Sequence, residues 1–170
     1  FGKHDVLEYW KYFPKVRVHA SLDASWEPGE YLRKGTSWAS IVKNRRRMQE
    51  VHPNLFFDIT PTISVFNVEH FPDFHSEWID AGLIEPERVR INILTEPKYF
   101  GADLLSEEER KPIIEKYQRF LDHYESQVVA EGRDASALLE GYGSVIEYLK
   151  TRPVAKDQWA AFHERTHKVD

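Results

Sequence analysis

The sequence predicts an α/β fold in which three parallel strands alternate with helices, and further helices close the chain. Three observations predict it. Short β-branched and apolar segments recur at residues 16–22, 55–66 and 89–95. A helical pattern follows each of them. The boundaries carry the Pro, Gly, Ser and Thr residues that end or cap elements. Strands separated by helices pair in parallel through right-handed crossovers. Three such units form half of a barrel or one side of a doubly wound sheet.

Residues 16–22 alternate apolar and polar side chains, as a half-buried strand does. They run into Asp23 and a loop holding Pro28 and Gly29. The first helix is expected over 37–51, where Trp38, Ile41, Val42, Arg45 and Met48 recur at helical spacing. Thr36 or Ser37 suits its start and Pro53 its end. The second strand, 55–66, contains Pro61, so it either bends there or exposes an edge. A short helix over 72–81 stops at Gly82. The third strand is 89–95. After Pro97 and a loop through Gly101, Ser106 and Glu109 have the spacing of a capping box. Ile113, Ile114, Tyr117, Phe120, Leu121 and Tyr124 form the apolar stripe of a long helix. Two more helices are expected over 136–150 and 156–167, divided by Arg152 and Pro153.

Composition limits the function classes. The 170 residues are 41% hydrophobic and 30% charged, the balance of a folded chain. Acidic residues outnumber basic ones, 28 to 23, for a net charge of −5; that argues against a general nucleic-acid binder. No apolar run approaches the ~18 residues of a membrane span. The absence of cysteine excludes disulfides and any thiolate-held iron–sulfur cluster built by this chain alone. The chain starts at Phe1 without a leader pattern and stops at Asp170 within a helical pattern, as expected of a piece of something longer.

In parallel α/β sheets, function gathers at the C-terminal ends of the strands. Ser21 and Asp23 follow the first strand. A hydroxyl and a carboxylate two positions apart suit ribose hydroxyls or an amino group; they equally suit a turn that satisfies backbone amides. Arg33, just before a helix, can hold a carboxylate through two hydrogen bonds or pair with Glu27 or Glu30. Asn67 follows the second strand, and its amide both donates and accepts. Asn92 and Leu94 share a face of the third strand, Asn92 lining a cavity or sitting as a satisfied core amide. His70, Asp73 and His75 cluster in sequence, but their spacing is not that of a helical metal pair, and polar loop residues are the plainer reading. The basic run Lys43–Arg47 spreads around its helix as a solvated face. His163 and His167 stand four apart, a spacing that suits a metal pair.

Together these residues resemble a known family. Val18-His19-Ala20-Ser21-Leu22-Asp23, Tyr31-Leu32-Arg33-Lys34-Gly35-Thr36-Ser37-Trp38 and Asn44 resemble the middle of radical S-adenosylmethionine enzymes, in the twitch-domain subgroup related to SPASM maturases. Thr62–Asn67 and Ile91–Pro97 resemble the next two barrel strands. The resemblance spans about residues 10 to 125. It implies the C-terminal half of a partial (β/α)₆ barrel over residues 1–130 and a helical extension over 131–170. It also implies that Ser21 and Asp23 lie at the ribose or methionyl end of S-adenosylmethionine. Arg33 then pairs with the methionyl carboxylate, Asn67 lines the pocket and Leu94 touches adenine. In that family an N-terminal half, absent here, carries a Cys-x-x-x-Cys-x-x-Cys loop. That loop binds a [4Fe–4S] cluster, which cleaves the cofactor to a 5′-deoxyadenosyl radical. Ala24 departs from the family's usual Gly, and the missing cysteines leave this chain without cleavage activity of its own. The implied partners are the cluster-bearing half and a peptide or small-molecule substrate, with no nucleic acid and no membrane, and the implied compartment is the cytoplasm. Two other classes stay open: a non-catalytic α/β binding module, and a metal-dependent hydrolase using His70, Asp73 and His75.

Overall fold

The computed structural model describes residues 5–166. β1 (Arg17–Ala20) pairs in parallel with β2 (Phe56–Ile59), with His19 opposite Asp58. β3 (Thr62–Ile63) pairs in parallel with β4 (Asn92–Ile93). A parallel bridge between Ile59 and Val89 links the two small sheets. The middle strand is thus one chain segment interrupted at Thr60 and Pro61. The backbone bends there as the proline requires, while the Pro61 carbonyl accepts from the Asn92 N–H at 2.9 Å. The mixed α/β class and the parallel pairing are as expected. No closed barrel forms among the described residues.

The strands are shorter than the sequence suggests. The second ends at Ile63 instead of Phe66, because the Asn67 side chain takes the Ser64 N–H at 2.8 Å and turns the chain. Two helices were not expected. α1 (Val6–Trp10) is capped by the Asp5 carboxylate, which accepts from the Leu7 N–H at 3.1 Å. α2 (Trp26–Leu32) occupies the segment read as a Pro–Gly loop. Pro28 falls in its first turn, where no backbone donor is needed. Gly29 is required by packing: a Cβ there would lie 2.2 Å from the Ala24 carbonyl oxygen. Gly29→Ala is therefore expected to cost about 2 kcal/mol in urea unfolding, since backbone must move to admit the methyl group.

α3 (Trp38–Val51) and α4 (Phe71–Asp80) follow the expected spans. Ser37 stands at the cap of α3, but its hydroxyl makes no cap bond. The Glu30 carboxylate accepts from the Trp38 N–H instead, at 2.6 Å. α5 (Glu107–Ala130) begins with both arms of the Ser106–Glu109 capping box, whose hydrogen bonds hold the Glu109 carboxyl below the usual carboxylate range. α6 (Ser136–Thr151) packs along it. The buried Arg110 donates to the carbonyls of Leu149, Arg152 and Asp103, tying the end of α6 to the start of α5. A 3₁₀ turn over Lys156–Gln158 leads into α7 (Trp159–Thr166); His167, the second histidine of the metal pairing, lies outside the described residues.

Period-two alternation gives the sheet two unlike faces. Val18, Ala20, Phe57, Ile59, Val89 and Ile91 join the core beneath the helices. Trp38, Phe74 and Trp78 pack there as an aromatic cluster, with Phe57 stacked on Trp78 at 6.2 Å. The other face carries Arg17, His19, Asp58, Arg88 and Arg90.

Candidate functional site

The C-terminal ends of the strands meet around Asp23. The strand stops at Ala20, where the Leu22 N–H turns back to the Ala20 carbonyl at 2.9 Å. Ser21 and Asp23 therefore do not share a face. Ser21 is exposed, with its hydroxyl 3.4 Å from that of Thr60. Asp23 is buried. Its Oδ1 accepts from the Thr62 N–H at 2.8 Å, and its Oδ2 accepts from Arg33 Nε at 2.6 Å. The backbone amide Asp23 satisfies is on the neighbouring strand, 39 residues away, so this is a cross-strand tie. Arg33 pairs with Asp23 and with neither Glu27 nor Glu30. Only its Nε is used; its terminal nitrogens make no hydrogen bond to any described residue, and the side chain is 36% exposed.

Asn67 is fully enclosed. Its Oδ1 accepts from the Ser64 N–H and hydroxyl, and its Nδ2 donates to the carbonyls of Asp23 and Thr62 at 3.1 Å each. All the capacity of the amide is spent on holding the strand ends together, so it shapes the site and does not face a ligand. Leu94 is half-buried, and its N–H donates to the Ile63 carbonyl at 2.8 Å. Asn92 is exposed and lies neither in the core nor in an enclosed cavity. Of the five residues predicted for the site, Ser21, Arg33 and Leu94 present surface, while the buried Asp23 holds Arg33 and the buried Asn67 ties the strand ends.

The histidine cluster is brought together only in part: His70 Nδ1 lies 4.0 Å from Asp73 Oδ2, and His75 is not part of that contact. His75 is fully buried in the helical core, stacked on Phe120 and Tyr142, with Nδ1 2.9 Å from the Tyr142 hydroxyl. Burial pushes its pKa down to about 3. His70 and Asp73 are exposed, and Asp73 accepts from Lys116 Nζ at 2.5 Å. No group of metal-ligating side chains occurs among the described residues. The basic run is also not uniformly solvated. Arg45 lies 4.1 Å over the Phe57 ring and donates to the Leu83 carbonyl, and its burial lowers its pKa.

A second constellation was not singled out from the sequence. On the open sheet face, the buried Asp58 carboxylate is held between His19 Nδ1 on β1 and Arg90 Nε, at 3.0 Å, on the segment bridged to β2 at Val89. The signal was present as period-two spacing: Arg17 with His19, Phe56 with Asp58, and Arg88 with Arg90 put charged or aromatic residues on one face of β1, β2 and the segment bridged to β2 at Val89. No helix among the described residues is long and apolar enough to cross a membrane. Comparison of the chain with known protein families, with curated proteins and with solved structures finds no match.

Proposed function

We propose that this chain is the C-terminal half of a partial (β/α)₆ barrel from a radical S-adenosylmethionine enzyme. In this reading it forms one wall of the cofactor pocket. The observation that carries it is the Asp23–Arg33 pair at the C-terminal ends of parallel strands. Asp23 fixes the guanidinium through Nε alone, and the terminal nitrogens, which make no hydrogen bond to any described residue, keep the capacity a carboxylate needs for two parallel hydrogen bonds. Ser21 offers an exposed hydroxyl for a ribose, and Leu94 offers apolar surface for a base. Bound beside a reduced [4Fe–4S] cluster, the cofactor would supply the radical chemistry, with Arg33, Ser21 and Leu94 as the residues of this chain that would hold it. This chain orients it and has no thiolate with which to hold the cluster. The cluster-bearing half is the implied partner. β1 has only β2 as a neighbour among the described residues, so its other edge is free to receive a further strand. The substrate would be a peptide or small molecule, and the compartment the cytoplasm.

Titration of S-adenosylmethionine into the chain, followed by NMR, tests the reading. Saturable shifts are expected at Ser21, Arg33 and Leu94 and are expected to vanish in Arg33→Ala. A folded chain with no such shifts would instead be a binding module without this cofactor.

A further inference from the structure

A cavity of about 420 Å³ lies at the N-terminal ends of β1 and β2, the end of the strands opposite Asp23 and Arg33. Its volume is in the range of small-molecule sites. Its walls come from the chain between α1 and β1 and the chain between α3 and β2. Trp10, Phe13 and Phe56 supply ring surface, and Lys11, Lys15 and Arg17 supply charge. All three cations line this one cavity, and no Asp or Glu among the described residues does. None of the three has a carboxylate partner among the described residues. Lys11 and Arg17 touch rings instead: Lys11 Nζ lies 5.1 Å from the centre of Tyr12, and the Arg17 guanidinium carbon 5.1 Å from that of Phe56. The acids nearest in the fold are engaged elsewhere, Asp5 with Arg47 and Asp58 with His19 and Arg90. Trp10 is half-buried against His52, with ring centres 6.1 Å apart. His52 is itself anchored, its Nε2–H donating to the Leu7 carbonyl at 2.8 Å.

Three cations around one cavity repel each other, and a cation–π contact at an exposed site offsets little of that. An anion in the cavity removes the repulsion and accepts charge-assisted hydrogen bonds. A bare anion would leave the ring surface of Trp10, Phe13 and Phe56 facing water. A planar base covers it by stacking, as bases do on aromatic side chains. We propose that this cavity binds a nucleotide. Lys15 and Arg17 hold the phosphate, Lys11 assists, and the base lies against Trp10 and Phe13. The chain's net charge of −5 favours a free mononucleotide over a nucleic-acid strand, whose run of phosphates needs a longer basic track. The site is independent of the cofactor reading above, because it uses the other end of the strands and none of the same residues.

The test is a titration of the chain with adenosine monophosphate and, separately, inorganic phosphate, read by NMR on the Trp10 indole N–H and the Arg17 Nε–H signals. Sodium chloride at matched ionic strength is the control, because general screening moves exposed charges without a site. Saturable shifts at both residues are expected with the nucleotide, and phosphate should bind about tenfold more weakly because it lacks the stacked base. Combining Lys15→Gln with Arg17→Gln should weaken nucleotide binding about tenfold; both side chains are exposed, so the core stays intact. Phe13→Ala, also at an exposed position, should weaken the nucleotide severalfold and leave phosphate unchanged. Arg33→Ala should leave all of these shifts unchanged, so failure of this site and failure of the cofactor reading are separately visible. Shifts equal to those in chloride, phosphate binding as tightly as the nucleotide, or affinity unaltered in the double variant would overturn the proposal. A short single-stranded oligonucleotide that binds more than about tenfold tighter per nucleotide would overturn the assignment to a mononucleotide.

Discussion

Replacing Asn67 with Ala is expected to lower the unfolding free energy by about 3 kcal/mol, well above the usual effect of a single substitution. The side chain is 1% exposed and makes four hydrogen bonds. Truncation leaves the Ser64 N–H and the Asp23 carbonyl without partners in a place water does not reach. The same loss frees the strand ends that orient Asp23, so the Arg33 signal should lose its ordered environment in parallel. Asn67→Asp should do no better, because it sets an acceptor against the carbonyls of Asp23 and Thr62. Urea unfolding checks both variants. A loss under about 1 kcal/mol would show that the network does not hold the strand ends.

Acidification is expected to destabilise the protein through His75. Burial lowers its folded pKa from 6.5 to about 3. Above pH ~6.5 the imidazole is neutral in both states, and stability is complete. Below that, the unfolded chain takes up a proton that the folded chain refuses. Stability then falls by up to about 1.4 kcal/mol per pH unit until the folded pKa is reached. By pH 5 the contribution is about 2 kcal/mol. Other groups titrate in the same range, so the informative quantity is the difference between the protein and His75→Phe. The gap between their unfolding free energies should shift by that amount between pH 7 and pH 5 and stay flat above pH 7. A constant gap across this range would mean that His75 takes up its proton in the folded state.

What the sequence made legible follows the rule that local pattern reports local structure. The amphipathic stripe from Ile113 to Tyr124 and the Ser106–Glu109 box are carried by residues three and four apart, and α5 forms where they indicate. The parallel strands were legible from alternation, but their ends were not. The end of the middle strand is set by Asn67 reaching back to Ser64, a side-chain bond that competes with the ladder. α2 was hidden because Pro28 and Gly29 signal a loop by composition. Yet the proline sits where a helix tolerates it, and the glycine answers to Ala24 across a tight contact. In the site, Arg33 was visible as a cation before a helix, but its partner was misread, because the choice of Asp23 over Glu27 or Glu30 is made by tertiary placement. His19, Asp58 and Arg90 went unremarked for the same reason: each is unremarkable in its own segment, and only strand register brings them together. The pairing of His75 with Tyr142 spans 67 residues and had no local signal at all.

The most direct measurement is to sequence the gene upstream of the codon for Phe1. The barrel reading predicts an open frame continuing back through a Cys-x-x-x-Cys-x-x-Cys loop, which would supply the cluster this cysteine-free chain does not hold. It would also supply strands for the free edge of β1. A stop codon, or an unrelated cysteine-free segment in that position, would contradict it.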